Sequence, residues 1–316
     1  MKIFDMAVDR QLGQKLARYL KVELASLEER VFEDTEFKVR PLESVRGESV
    51  FVCQSLYADA DLSANDKLIR LLFFIGALKD ALADRVTAVV PYLAYQRKDR
   101  RTKTRDPIST RYIAQIFESV GVDAIVTVDV HNLAAFDNSF RCPKVHIEAA
   151  PLLVEHFAPM VAAAQKTVVV SPDIGGAKRA RAFASVLSER TERPVDLAFV
   201  EKHRSSGIVS GELFAGDVNN AAIIVIDDMI CGGTTMARAA QACVLRGATD
   251  VHVAATHGVF GSSAAKNLTI AEITSVVVTD TVADSAARCS ALSPKLVILD
   301  TAPLIGEVLE RIIDRR

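Results

Sequence analysis

The feature that most constrains the fold is a series of short runs rich in valine and isoleucine, each followed by a loop and a segment of helical periodicity. Near-continuous apolar strands that alternate with helices are typical of parallel sheets covered on both faces. In such sheets, ligands bind beyond the carboxyl ends of the strands. The sequence therefore predicts an α/β fold. The runs are SVFVCQ, RVTAVVPYL, AIVTVDV, TVVVSPD, VDLAFV, AAIIVIDD, VHVAAT, SVVVTD and LVILDT.

The length of the chain predicts two domains. Its 316 residues exceed one average domain, and each half is long enough to bury its own core. A faint duplication agrees: RYIAQIFESVGVDAIVTVDVH and RAAQACVLRGATDVHVAATH each place a glycine at the same distance before a final histidine. Any two helix-to-strand units look somewhat alike, so the inference of a duplication depends on the two domains that the chain length predicts. We expect domains at residues 1–146 and 147–316, because RCPKVHIE interrupts the pattern of strands and helices.

Charge and cysteine usage exclude several classes of protein. A net charge of −2 gives the whole molecule no field that would attract nucleic acid or an anionic membrane. Five cysteines without a CxxC pair indicate neither a disulfide framework nor a zinc site. The start MKIFDMAVDR does not resemble a signal peptide, and the apolar residues 71–78 are too few for a membrane span. We expect a cytoplasmic protein that binds neither nucleic acid nor membrane.

One helix has clear boundary residues. Asp106 is expected to cap its N-terminus, Pro107 fits its first turn, and Gly121 fits a left-handed exit.

The loop at residues 227–235 has the chemistry of a ribose phosphate site. In AAIIVIDDMICGGTTMARAA, a buried strand delivers Asp227 and Asp228, and a turn of Gly232, Gly233, Thr234 and Thr235 opens a helix. The turn and the helix N-terminus offer N–H and hydroxyl donors to a phosphate. The carboxylates suit hydroxyl groups or a metal ion. A Gly-rich helix cap is the structural alternative.

A second loop, VVVSPDIGGAKRARA, has the same order of strand, carboxylate and glycines. Asp173 ends the strand, and Lys178 and Arg179 lie in the first turn of the helix. Cations oppose the helix dipole there, so a bound anion explains them better than helix stability does. A solvated basic helix face is the alternative.

Two further stretches collect cations at strand ends. YQRKDRRTKTRDP surrounds Asp99 with basic residues, and VEKHRSSG contains Lys202 and Arg204 at alternate positions. Alternate residues of a strand would present both charges to one target. A charge run is otherwise a solvated or nucleic-acid-facing loop. His131 ends the strand AIVTVDVH with Asp129 on the same face, where a hydrogen-bonded structural histidine is the alternative to a metal ligand.

Together and in order, these stretches resemble the ribose-phosphate pyrophosphokinase (PRPP synthetase) family across nearly the whole chain. RVFEDTEF resembles the ATP element F-x-(N/D)-x-E, and PYLAYQRKDRR resembles the ATP-side loop PYxxYARQDRR. TVDVH and SPDIGGAKRA resemble the two metal-binding elements of the family. VEKHR matches the catalytic K-x-R, and VIDDMICGGTTM resembles the PRPP loop V-D-D-(I/M)-I-D-T-G-G-T.

The resemblance implies two phosphoribosyltransferase-type domains, each a mainly parallel sheet flanked by helices, in a homo-oligomer with the active site near a subunit interface. It implies ATP and ribose 5-phosphate as substrates, Mg²⁺ as cofactor, and transfer of the diphosphoryl group of MgATP to the anomeric hydroxyl, giving PRPP and AMP. The ATP side is the first domain and the ribose side the second. The implied residues are Lys202 and Arg204 for catalysis; Phe32, Asp34, Glu36, Arg97, Lys98, Asp99 and His131 for ATP; Asp227, Asp228, Cys231, Gly232, Gly233, Thr234 and Thr235 for ribose 5-phosphate; and His131 and Asp173 for the metal.

Two departures and two rival functions accompany the resemblance. In the PRPP loop, Cys231 and Gly232 stand where the family has Asp and Thr, and Thr234 replaces its second glycine. In the ATP loop, Lys98 replaces a glutamine of the family. A phosphoribosyltransferase would consume PRPP with the same loop, but the ATP and metal elements before residue 210 argue against it. A non-catalytic regulatory homologue is disfavoured because the metal-binding and catalytic side chains are retained.

Overall fold

The computed structural model describes residues 1–205 and 208–314, with the backbone alone for residues 201–205 and 208–212. The chain forms two compact units. The first contains Met1–Glu148 and the residues from Thr301 onward, and the second contains Ala149–Asp300. The chain first passes from the first unit to the second after Glu148, two residues beyond the predicted division between residues 146 and 147. The chain then returns near residue 300, so its C-terminal helix belongs to the first unit.

The first unit is built on five parallel strands. These are β1 (Lys2–Asp5), β4 (Ser49–Cys53), β5 (Arg85–Val89), β6 (Ala124–Val128) and β7 (Lys144–Ile147), adjacent in that order. A separate antiparallel hairpin consists of β2 (Leu27–Val31) and β3 (Phe37–Pro41). The helices of this unit are α1 (Gln11–Tyr19), α2 (Ala64–Asp80), α3 (Ser109–Ser119), α4 (Leu133–Ser139) and α10 (Ala302–Asp314).

The hairpin β2–β3 packs on helix α2. Arg70 of α2 forms an ion pair with Glu29 of β2, and its guanidinium lies 5.1 Å from the ring centroid of Phe37. The rings of Phe37 and Phe73 are 5.4 Å apart. Helix α2 itself begins with a capping box, in which Ser63 and Asp66 satisfy each other's backbone N–H groups. The contacts of Arg70 and Phe73 hold the strands of the hairpin against α2, and the turn of the hairpin carries part of the predicted ATP site.

Helix α3 begins later than the sequence predicts. Ile108 occupies its N-cap position and makes no side-chain cap bond. The predicted cap at Asp106 is wrong, because this carboxylate accepts backbone N–H bonds from the preceding loop instead. Pro107 therefore lies before the helix rather than in its first turn. Gly121 follows the helix with φ of +89°, which confirms the predicted left-handed exit.

The segment RCPKVHIE does not interrupt the pattern of strands. Its residues Lys144–Ile147 are the strand β7, which pairs with β6 through Val126 and Val145. The expectation of an irregular segment there is wrong because β7 is an edge strand. An edge strand is covered less completely than a central one, so it does not need a continuous apolar run.

The second unit is built on seven strands. They are β8 (Thr167–Ser171), β9 (Val195–Ser205), β10 (Ile208–Ala215), β11 (Ala222–Ile230), β12 (Asp250–Gly258), β13 (Ser275–Thr279) and β14 (Leu296–Leu299). Their order in the sheet is β10-β9-β8-β11-β12-β13-β14, with β10 antiparallel to β9 and the other neighbours parallel. The helices are α5 (Ala150–Ala163), α6 (Ala177–Thr191), α7 (Thr234–Val244), α8 (Ala264–Leu268) and α9 (Ser285–Arg288), with a 3-10 turn at Ser290–Leu292.

Both faces of this sheet are apolar. Val168 and Val170 belong to one hydrophobic cluster, and Val169 between them belongs to another. Ile223 and Ile224 of β11 divide in the same way. Because successive side chains of a strand point to opposite faces, the near-continuous apolar runs fill one core on each side of the sheet. The predicted α/β architecture with parallel sheets flanked by helices is confirmed.

The two units share part of their topology. In each, four adjacent parallel strands follow the same sequence order, β4-β5-β6-β7 in the first unit and β8-β11-β12-β13 in the second. The helices α3 and α7 are each followed by a left-handed glycine, Gly121 with φ of +89° and Gly247 with φ of +87°. This correspondence agrees with the internal similarity of the sequence.

A helix that crosses a membrane must be both long and apolar. Helix α2 has 17 residues. In the described part of the chain, residues 1–205 and 208–314, no helix is long and apolar enough to cross a bilayer.

Candidate active site

The predicted ribose loop follows the central strand of the second unit. Strand β11 carries Asp227, which is partly exposed, and Asp228, whose side chain is only 2% exposed. The backbone N–H of Asp228 donates to Oδ1 of Asp227 at 2.9 Å. Two adjacent carboxylates at the carboxyl end of a buried strand are unfavourable without a ligand or a counter-ion. The pair therefore calls for a ligand or a counter-ion at that end of the sheet.

Arg179 of helix α6 supplies a counter-ion for both carboxylates. Its Nη1 lies 2.6 Å from Oδ1 of Asp227 and 3.5 Å from Oδ1 of Asp228. Burial raises the pKa of Asp227 to about 7, and the charge of Asp228 acts in the same direction, whereas Arg179 lowers it. From the sequence, we expect the cations of this helix turn, Lys178 and Arg179, to bind an anion. In the structure, Arg179 meets protein carboxylates.

The Gly/Thr turn after β11 is held by a residue of helix α8 and by the N-cap residue of that helix. Asn267 donates from Nδ2 to the carbonyl oxygen of Gly232 at 2.6 Å and to Oγ1 of Thr234 at 3.0 Å. Ser263 donates from its hydroxyl to the same carbonyl at 3.3 Å. Neither Asn267 nor Ser263 was a candidate from the sequence, because each lies more than 25 residues beyond the motif.

Gly233 has a backbone that favours glycine. Its φ is +73°, and a Cβ added there would lie 2.8 Å from Cγ of the buried Leu268. Helix α7 begins at the next residue, Thr234, so the turn presents the helix N-terminus and its free N–H groups. Thr235 lies in the same first turn, and Cys231 precedes the glycines with its Sγ 3.7 Å from Sδ of Met229.

The Asp173 loop lies beside this turn in the second unit. It follows β8, the direct parallel neighbour of β11, so the carboxyl ends of both strands lie at the same edge of the sheet. Asp173 is exposed, and its Oδ1 accepts the N–H of Gly176 at 3.0 Å. Ser171 donates from its hydroxyl to the Asp173 carbonyl at 2.6 Å. The loop therefore holds an exposed carboxylate in one orientation.

Strand β9, on the other side of β8, contains the predicted catalytic cations. The strand continues to Ser205, beyond the last pair that it makes with β8, Ser171 with Phe199. In the pairing of β9 with β10, Lys202 lies opposite Glu212 and Arg204 lies opposite Val209. The side chains of Lys202 and Arg204 lie outside the described part of the structure, so their roles stay predictions.

The predicted ATP element of the first unit forms the turn of the hairpin β2–β3. Phe32, Asp34 and Glu36 are all exposed there. The turn is ordered by its own bonds: the N–H of Phe32 donates to the Glu36 carbonyl at 2.8 Å, and the N–H of Glu36 donates to Oδ1 of Asp34 at 3.1 Å. Arg30 places its guanidinium 5.2 Å from the Phe32 ring centroid. The hairpin thus offers an aromatic ring and two carboxylates to solvent.

The basic loop after β5 is organised by Asp106. Its Oδ2 accepts from Nζ of Lys98 at 2.5 Å and from the N–H of Thr102 at 3.0 Å and of Lys103 at 2.9 Å. Lys98, and then Thr102, hold the pKa of the Asp106 carboxyl well below its usual range. Lys98 is therefore engaged inside the loop, a role that the sequence did not predict. Arg97, its neighbour, is exposed.

Asp99 connects this loop to the His131 segment of the first unit. Nδ2 of Asn132 donates to Oδ2 of Asp99 at 2.6 Å, and Asn132 directly follows His131 in the chain. His131 is exposed, after the end of β6. The expectation that Asp129 and His131 share one strand face is wrong, because β6 ends at Val128 and Asp129 has φ of +36°. The structure nevertheless brings the Asp99 and His131 segments together.

Comparisons with known proteins identify the same family along both halves of the chain. Residues 1–121 match the N-terminal domain of ribose phosphate pyrophosphokinase, and residues 211–316 match the phosphoribosyl synthetase-associated domain. The ribose-phosphate pyrophosphokinase of Hyphomonas neptunium is 38% identical over 99% of this chain and 96% of the relative. That of Vibrio parahaemolyticus is 36% identical over the same shares of both chains.

A solved structure agrees over the full length. The crystal structure of phosphoribosylpyrophosphate synthetase from Mycobacterium smegmatis is 34% identical and covers 100% of this chain and 99% of that one, with a TM-score of 0.90. Sequence identity above 30% across nearly the whole chain and the agreement in fold lead to one conclusion: the chain belongs to the ribose-phosphate pyrophosphokinase family.

Proposed function

We propose that the protein transfers the diphosphoryl group of MgATP to the anomeric hydroxyl of ribose 5-phosphate, giving PRPP and AMP. The observation that carries the proposal is the succession of Asp227 and Asp228, a Gly/Thr turn and a helix N-terminus at the end of β11. That order offers carboxylates to sugar hydroxyls and N–H donors to a phosphate at one loop. Membership of the family supplies the direction of the reaction, which the loop alone does not.

In this proposal the second unit binds ribose 5-phosphate. Asp227 and Asp228 accept hydrogen bonds from the ribose hydroxyls, and the turn donates to the 5-phosphate. The turn comprises Cys231, Gly232, Gly233, Thr234 and Thr235. Its glycines let the backbone approach the phosphate closely, and the threonine hydroxyls add donors. Cys231 contributes its backbone N–H but no carboxylate.

The first unit binds ATP in the same proposal. Phe32 offers a ring for contact with the adenine, and Asp34 and Glu36 offer acceptors. Arg97 is exposed beside the loop that Asp106 organises, where a cation can meet the triphosphate. Lys98 fixes the loop through its bond to Asp106, and Asp99 fixes it through its bond from Asn132. His131 follows the adjacent strand and completes this group.

Magnesium is the metal that the donor set suits. Among the described residues no three or more His, Cys, Asp or Glu side chains converge as a ready-made metal site. Mg²⁺ is usually held by one or two protein carboxylates together with substrate phosphates and water, so a sparse donor set fits it. The residues that we propose as Mg²⁺ ligands are Asp173 in the second unit and His131 in the first. When bound, the metal neutralises phosphate charge.

Lys202 and Arg204 are the proposed catalytic residues. Phosphoryl transfer asks a protein mainly for positioning and for cations at the developing charge, and no protein nucleophile is needed. The oxygen of the anomeric hydroxyl forms a bond to the β-phosphorus of ATP and gives up its proton to water. The bond from that phosphorus to the α,β-bridging oxygen breaks, and AMP leaves with that oxygen. The two cations stabilise negative charge on the transferring group.

We also propose a cytoplasmic homo-oligomer with its active site near a subunit interface. All five cysteines are free thiols, as a reducing compartment permits. Light scattering of the purified protein on a size-exclusion column tests the assembly, since a monomer at all concentrations would contradict it.

The experiment that tests the function compares the wild type with Lys202→Ala. We expect AMP and PRPP from the wild type with MgATP and ribose 5-phosphate, and a loss on the order of 100-fold or more in kcat for the variant. His203→Ala, between the two cations, is the matched control and should retain most activity. A wild type without AMP above background, indistinguishable from Lys202→Ala, would contradict the proposal and favour a non-catalytic homologue.

A further inference from the structure

Arg179 forms ion pairs with both carboxylates of the ribose loop, Asp227 and Asp228. It comes from helix α6, after a different strand from the one that carries Asp227 and Asp228. We infer that Arg179 is a positioning residue for ribose 5-phosphate: its guanidinium holds the two carboxylates in the arrangement that receives the ribose hydroxyls. The inference rests on the proposed function of this loop.

The carboxylates need such a partner because of their placement. Asp228 is 2% exposed, and its backbone N–H is bonded to the side chain of Asp227, so the two acidic side chains are close and poorly solvated. Like charges in such a place repel each other, and each disfavours the ionised form of the other. One guanidinium nitrogen at 2.6 Å from Asp227 and 3.5 Å from Asp228 offsets that repulsion for both.

The position of Arg179 in its helix supports a role beyond stability of the helix. It lies in the first turn of α6, where a cation opposes the helix dipole. A basic residue is unfavourable there unless it has another partner. Arg179 has one, the carboxylate pair of the neighbouring strand, so the cost to the helix is offset by an interaction that only the site requires.

The residues around Arg179 leave space for its side chain. A Cβ added to Gly176 would lie 2.8 Å from Oγ of Ser171 and 3.7 Å from Nη1 of Arg179. The same point is 3.8 Å from Oδ1 of Asp173. Arg179 therefore runs beside the Asp173 loop on its way to Asp227, and it connects two of the predicted site loops within the second unit.

This geometry predicts a selective effect on one substrate. Arg179 contacts residues of the ribose loop, and the residues assigned to ATP belong to the first unit. Loss of the guanidinium removes the contacts that hold Asp227 and Asp228 in their present arrangement, which should weaken binding of the ribose. Binding of ATP does not depend on these two side chains.

The test uses three variants of the full-length protein, Arg179→Gln, Arg179→Lys and the control Arg181→Gln. Arg181 is an exposed arginine of the same helix, so its replacement repeats the change in charge away from the carboxylates. We expect Arg179→Gln to raise KM for ribose 5-phosphate on the order of tenfold, with KM for ATP within about twofold of the wild type. Arg179→Lys should give an intermediate KM for ribose 5-phosphate, and Arg181→Gln should match the wild type.

A folded Arg179→Gln variant with an unchanged KM for ribose 5-phosphate would overturn the inference, and so would equal increases in both KM values. If Arg179→Gln does not fold, the KM values of Arg179→Lys decide whether the inference holds. An increase of about threefold or more in KM for ribose 5-phosphate alone supports the inference, and wild-type values for both substrates contradict it. A wild type that makes no PRPP would instead refute the proposed function, so the two failures are distinguishable.

Discussion

Cys231 is the residue at which the candidate site departs most from the family's PRPP loop. It lies half-buried directly before the two glycines of the turn, and its carbonyl accepts the N–H of Gly261 at 2.9 Å. Its backbone is therefore held in place although its side chain carries no carboxylate. A thiol in this position also gives a chemical probe of the ribose site, because a bound phosphate would cover it.

We predict that ribose 5-phosphate protects Cys231 from alkylation by iodoacetamide. Cys142 is the internal reference, since it lies in the first unit and burial raises the pKa of its thiol to about 11, which slows its reaction. Peptide mass spectrometry with and without a saturating ligand measures both rates. Equal labelling of Cys231 in the two samples would argue against a sugar phosphate in this turn.

Asp5 is a buried carboxyl whose ionisation should lower stability at neutral pH. It is 2% exposed, and burial raises its pKa to about 6 from 3.8, although the N–H groups of Ala7 and Gly13 donate to it. A pKa that is higher in the folded state favours the protonated form on folding. Its contribution to stability is therefore present at low pH and lost as pH rises through about 6.

The variant Asp5→Asn tests whether the ionisation of Asp5 lowers stability as pH rises. Between pH 5 and 7.5, the free energy of unfolding of the wild type should fall by about 1.4 kcal/mol relative to the variant, which has no charge to bury. Urea unfolding at several pH values measures the difference. Curves that stay parallel across this range would show that Asp5 does not titrate there.

The acidic and glycine residues of the ribose loop could be predicted from sequence because they are contiguous and chemically distinctive. The sequence does not indicate which residues Arg179 and Asn267 contact, since both reach the loop from elsewhere in the chain. The only signal for Arg179 was its place in the first turn of a helix, where a cation is unfavourable. That signal indicates an anion, but it does not distinguish a ligand from a carboxylate of the protein.

At the scale of elements, the turn between β11 and α7 depends on the left-handed backbone of Gly233. We predict that Gly233→Ala lowers the free energy of unfolding by about 2–4 kcal/mol, because alanine is strained at this φ and its Cβ meets Leu268. The same variant should raise KM for ribose 5-phosphate. Chemical denaturation and steady-state kinetics measure the two effects.

Gly76→Ala in helix α2 is the matched control. A Cβ at Gly76 has nothing within 4 Å, and its φ is not left-handed, so alanine should stabilise the helix by about 0.5–1 kcal/mol. A Gly233→Ala protein as stable as the wild type, with an unchanged KM for ribose 5-phosphate, would refute the role given to this turn.

The strands that could be predicted are those with continuous apolar runs. All nine predicted runs contain strands of the two sheets, because strands of a parallel sheet covered by helices are mostly apolar. The pattern of apolar runs does not predict the strands β1, β2, β3, β7 and β10. Sequences such as LEERV and FKVRP in the hairpin β2–β3 are half polar, and an isolated hairpin needs only one covered face.

At the scale of the whole molecule, the chain does not divide into two simple halves. Helix α10 at the end of the chain belongs to the first unit, where Gly306 lies against Tyr19 of α1. A Cβ at Gly306 would be 2.5 Å from Cδ1 of that ring, so the helices approach closely because residue 306 is glycine. Length and composition cannot predict this return, since it depends on contacts between the two ends of the chain.

The proposed reaction consumes two substrates and cleaves ATP between its α- and β-phosphates. Phosphorus-31 NMR of the wild-type protein with MgATP and ribose 5-phosphate follows every phosphate in one sample. We predict AMP and PRPP in equal amounts, with little ADP and no reaction when ribose 5-phosphate is omitted. Formation of ADP with a singly phosphorylated sugar, or no change in ATP, would contradict the proposed reaction.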